Sequence, residues 1–92
     1  MKAIWNNTVI AESDDTVVVE GNHYFPAASL KREYTSFSNH RSSDWKGQAY
    51  YQSLMVNGEM KPDAVWHYPD PNESAANLKD RVAFAAGVEI TE

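Results

Sequence analysis

The chain has 92 residues, of which 42% are hydrophobic, a formal net charge of −5 and no cysteine. That length supports one hydrophobic core, and the apolar content places the chain among globular rather than disordered sequences. The acidic excess argues against bulk binding to nucleic acid or an anionic membrane, and the missing cysteines exclude disulfides, zinc–thiolate sites and thiol nucleophiles.

In chain order, short β-type runs alternate with turn signals. Ala3–Trp5 and Thr8–Ala11 flank Asn6-Asn7, a pair that tolerates the positive φ of a tight hairpin. Thr16–Glu20 is β-branched and suits a pleated surface. Gly21-Asn22 turns it into His23–Phe25, which Pro26 ends by removing a ladder donor. A short helical turn is expected within Ala27–Arg32, a strand at Tyr34–Phe37 and a polar loop at Ser38–Asp44. Ala49–Val56 is the longest predicted strand, and Asn57-Gly58 after it is the strongest hairpin signal, with the return starting at Glu59–Lys61.

Val65–Tyr68 is a further strand, stopped by Pro69-Asp70-Pro71. Asn72 is placed to cap a short helix over Glu73–Lys79, where Ala75, Ala76 and Leu78 favour the helical state. Val82–Phe84 and Val88–Thr91 close the chain around Gly87. The pattern predicts a mainly β single domain, a small open barrel or two packed sheets, with one short C-terminal helix. No apolar run approaches the ~20 residues of a membrane span, and Met1–Trp5 does not open a signal peptide, so a cytoplasmic location is expected.

Charge is unevenly distributed. Ala27–Gln48 holds Lys31, Arg32, Arg41 and Lys46 against Glu33 and Asp44, a net of +2, while the remainder carries −7. An anion site in that segment is electrostatically reasonable, and a solvated loop accounts for the same charges.

Two motifs carry most of the functional interest. In Trp45-Lys46-Gly47 a glycine after a cation lets backbone approach a ligand closely, with Arg41 and His40 near in sequence. Lys46 and Arg41 are candidates for engaging an anionic group. Trp45 either walls such a site or plugs the core. Ala64, Trp66 and Tyr68 alternate along one strand and share a face, as half of a stacking pocket or as ordinary core. Tyr50 and Tyr51 point to opposite faces, so at most one joins such a pocket.

Other chemistry is thinly supported. His23, His40 and His67 have no spacing that preassembles a metal site, and no cofactor is implied. Ser13 and Ser43 each adjoin an aspartate without a nucleophile-elbow motif. Glu12 and Glu20 flank a turn and are candidates for an acid–base pair.

Ala11–Pro26, Trp45-Lys46-Gly47 with Ala49 and Tyr51, and Asp63–Pro71 with Val82–Phe84 and Gly87–Glu89 together resemble the bacterial domain-of-unknown-function family 427, nearly end to end. The resemblance implies a β-tent-like pair of antiparallel sheets, pinned at one edge and splayed apart, and leaves the activity open. A nucleotidyltransferase-like label sometimes attaches to the family. Here Asp14-Asp15 point to opposite faces of an extended chain and no glycine-rich phosphate loop exists, so that chemistry is not expected. Members commonly carry Cys-Pro just before the Trp-Lys-Gly motif, where this chain has Ser43-Asp44. The expected function is a small-molecule or peptide-binding module with an aromatic pocket beside a locally basic loop. A small acid–base enzyme, using Glu20 or His40, and a partner-docking domain are the alternatives.

Overall fold

The computed structural model describes residues 1–92 as nine strands in two antiparallel sheets. β1 (Lys2–Trp5), β2 (Thr8–Glu12) and β9 (Glu89–Thr91) form a three-stranded sheet in the order β2-β1-β9. β3 (Val17–Val19), β4 (Asn22–Pro26), β5 (Thr35–Asp44), β6 (Gly47–Val56), β7 (Glu59–His67) and β8 (Arg81–Phe84) form the larger sheet, ordered β3-β4-β8-β7-β6-β5.

Two-residue turns set the hairpin registers. Asn6-Asn7 (φ 52° and 59°), Glu20-Gly21 (53° and 81°) and Asn57-Gly58 (52° and 79°) all have the paired positive φ that matches strand twist. The second of these lies one residue earlier than the Gly21-Asn22 expected, because Gly21 takes the second left-handed position and Asn22 already belongs to β4.

Alternation divides the large sheet into two apolar faces. Phe25, Leu54, Val65, Val82 and Phe84 join Ala3 and Ile10 of the small sheet in the larger buried cluster. Tyr24, Ala49, Tyr68 and Ala83 form a second cluster on the opposite face. The segment after β7 closes over that second face by burying Ala75 and Leu78.

The expected C-terminal helix is absent. Glu73–Leu78 forms 3₁₀ turns broken at Ala75 (φ −125°, ψ 24°). Asn72 gives the segment no side-chain cap, because its carboxamide donates to the Trp45 carbonyl (2.6 Å) and its own amide to the Lys46 carbonyl (2.8 Å). Residues 27–34 likewise form two short 3₁₀ turns, Ala27–Ser29 and Arg32–Tyr34. Ser38–Asp44, expected as a polar loop, is strand: β5 runs ten residues along the sheet edge, with a register shift between Phe37 and Arg41. No helix is long and apolar enough to cross a membrane.

Candidate functional site

Two hairpin turns meet over the second face of the large sheet. Trp45 and Lys46 connect β5 to β6, and Glu20 opens the turn between β3 and β4. Lys46 is 5% exposed, and its ammonium lies 2.5 Å from Glu20 Oε1 and 2.9 Å from Asp44 Oδ2. Asp44 also accepts the Lys46 backbone N–H at Oδ1 (2.8 Å) and the Tyr68 hydroxyl at Oδ2 (3.0 Å). The Trp45 indole N–H donates to Glu20 Oε2 at 3.3 Å. The ammonium also lies within cation–π range of the Trp45 and Tyr68 rings, at 5.0 and 5.5 Å.

The ionisation states follow from this packing. Burial pulls the Lys46 pKa down, but hydrogen bonds to Glu20 and Asp44 outweigh it and the net shift is upward. Lys46, then Trp45, hold Glu20 below its ordinary value. For Asp44 desolvation works the other way, and hydrogen bonds from Lys46 and Tyr68 overcome it to leave the pKa lowered. Burial, then donation to Asp44, pushes the Tyr68 phenol well above its usual range. At neutral pH the cluster is therefore two carboxylates around one ammonium. Glu20 held ionised is a poor proton donor and a weak base, which weakens the acid–base alternative at that residue.

Gly47 and the Asp70–Asn72 loop fix the turn from below. Gly47 has φ +131°, and a Cβ there would stand 3.2 Å from the Asp70 carbonyl oxygen. Only glycine allows the two segments to approach this closely with that backbone conformation.

Above the cluster opens a cleft of about 320 Å³. Tyr24, Tyr51, Trp66 and Tyr68 wall it, and Glu20, Asp44, Asp63 and Lys46 supply its charges. The Trp66 indole donates to the Tyr24 hydroxyl (3.2 Å), with the two rings edge to face at 6.5 Å. Tyr51 lies opposite Trp66 in the β6–β7 register and contacts its ring at 6.3 Å.

A family model described as a domain of unknown function, DUF427, matches residues 1–92. The chain belongs to the DUF427 family. No curated protein matches it.

In this DUF427 domain Lys46, Trp66 and Tyr68 line one cleft, while Trp45 and Gly47 build its edge and underside. Trp45 is half exposed and Lys46 is buried, the reverse of the arrangement in which tryptophan fills the core and lysine is solvated. Arg41 stands apart: its guanidinium lies 4.1 Å over the Tyr50 ring, on the face opposite Tyr51 and Trp66. Ala64 contributes to the core between the sheets and does not line the cleft. Glu12 lies opposite Lys2 in the small sheet, remote in topology from Glu20. No group of three or more His, Asp or Glu side chains comes together to hold a metal ion.

Tyr24, Asp63 and Asp44 join the cleft in addition to the residues expected from the sequence. Asp44 stands where the resemblance expects the family's proline, and here it is the acceptor that joins Lys46 to Tyr68. Asp63 had a faint signal in Pro62, which is unusual inside a strand and precedes a residue at φ 52°.

Proposed function

We propose that this DUF427 domain binds a small molecule whose cationic head enters the aromatic cleft. The observation that carries this reading is the charge balance at the cleft: three carboxylates against a single ammonium that is already paired with two of them. Glu20 and Asp44 side chains remain 54% and 43% exposed, so both carboxylates are accessible from solvent while Lys46 lies beneath. Ring faces beside such carboxylates suit an alkylammonium or guanidinium group, through the ring quadrupole and charge-assisted hydrogen bonds. The volume fits a small ligand. The locally basic segment expected to attract an anion contributes only Lys46 here, and its ammonium is engaged.

The test is an NMR titration with choline and with arginine methyl ester, following the Trp66 and Trp45 indole signals. Saturable shifts at Trp66 are expected, and Glu20→Gln, in an exposed turn, should weaken binding by roughly threefold to tenfold as one charge is lost. Acetate should not compete. No saturable shift with either cation, or equal binding by the Glu20→Gln protein, overturns the reading.

A further inference from the structure

We propose that a second cavity, on the opposite face of the large sheet, is a binding site for a small oxyanion: a phosphate or carboxylate group held by Arg32, Gln52 and His67. The cavity measures about 300 Å³ and lies where the inner face of β6, β7 and β8 runs past the apolar core. Gln52, His67 and Val82 form its floor from three adjacent strands, and Arg32 reaches it from the second 3₁₀ turn.

Three observations point to an anion. First, the Arg32 guanidinium has no carboxylate partner, since the ion pairs of the chain involve Met1, Lys46 and Arg81 alone. Second, polar groups converge on the floor without internal partners. Neither the Gln52 carboxamide nor the His67 ring makes a side-chain hydrogen bond, although neither ring nitrogen of His67 is sealed from solvent. Both side chains are partly exposed, so their polar atoms are open to a ligand entering the cavity.

Third, the cavity's lining carries two guanidinium groups, Arg32 and Arg81, against the one carboxylate of Asp80. The His67 pKa is lowered first by desolvation and then by the charges of Arg32 and Arg41. Arg41 stands over Tyr50, whose ring packs 6.1 Å from His67. Arg81 at the rim is paired with Asp15, and Asp80 is the rim's carboxylate. Of the four basic residues in Ala27–Gln48, Arg32 lines this cavity and Lys46 the aromatic cleft. An oxyanion would accept from the Arg32 fork and the Gln52 amide while neutralising the field on His67.

The test titrates ¹⁵N-labelled protein with inorganic phosphate and, separately, with citrate. Localised, saturable shifts at the Gln52 side-chain amide and Arg32 Nε are expected, with an upward shift of the His67 pKa in saturating anion. Arg32→Gln, an exposed substitution, should weaken binding roughly tenfold, the loss of one charge-assisted contact. Lys2→Gln, on the small sheet, should leave binding unchanged. Saturation by phosphate assigns a phosphate site, and saturation by citrate alone assigns a carboxylate site. Shifts scattered over the surface, no saturation by either anion, or equal losses in both variants overturn the proposal. Because the cleft titration follows Trp66, the two sites succeed or fail separately.

Discussion

Replacing Lys46 by methionine is expected to lower the unfolding free energy by about 2 kcal/mol, between the values for exposed and buried ion pairs. The intermediate value follows from the asymmetry of the cluster: the ammonium is buried, yet both carboxylates keep access to water and can rehydrate when it is removed. Urea unfolding measures the loss. A cost under about 0.5 kcal/mol, the scale of an exposed pair, would show that the pairing is incidental. Asp44→Asn in the methionine background should cost less than in the native protein, because the two residues share one network.

The same cluster sets a pH dependence whose sign can be worked out. Glu20 and Asp44 have folded pKa values below their ordinary 4.5 and 3.8. Their contribution is complete above those values and is lost as pH falls through the lower folded ones. Lys46, raised above 10.5, contributes fully below that value and loses its contribution as pH rises through the folded pKa. The stability difference between native and Lys46→Met protein should therefore be widest in the neutral range and shrink in acid. A difference that stays constant down to pH values below those of both carboxylates would contradict the ion-pair account.

Gly47→Ala should be the most damaging of the glycine substitutions, at about 2–3 kcal/mol, combining an unfavourable backbone region with a close contact. Its new Cβ would press on the Asp70 carbonyl oxygen and the Pro71 Cα, which are backbone atoms and cannot rotate away. Gly21 and Gly58 provide the comparison. Both have positive φ (81° and 79°), but a Cβ at either meets nothing within 4 Å. Alanine there should cost only about 1 kcal/mol, the conformational part alone. Thermal unfolding of the three variants checks the ranking, and equal losses would mean that the Gly47 contact is relieved by loop movement.

The parts of this fold legible in the sequence are those governed by neighbours in the chain. Asn6-Asn7 and Asn57-Gly58 are read correctly as turns because residue type sets their φ. Trp66 and Tyr68 are placed on one face by the two-residue period of a strand. β5 was not legible: Ser38, Asn39, His40, Ser42 and Ser43 carry no β signal, and their strand state comes from pairing with β6. The 3₁₀ segment departs from the expected helix because the Asn72 amide is spent on a partner 27 residues away. The contact between Lys46 and Glu20 joins two hairpin turns 26 residues apart, a distance over which no local pattern speaks.

The polar character that hid β5 has a use. It is the ten-residue free edge of the larger sheet, whereas the free edges at β3, β2 and β9 are three, five and three residues long. A long flat apolar edge invites another chain to add a strand, the first step toward insoluble assemblies. Here serine, asparagine, histidine and arginine side chains crowd that edge, and the register shift between Phe37 and Arg41 breaks its straight run of donors and acceptors. The residues least like a strand in composition thus keep the most exposed strand from recruiting a second molecule.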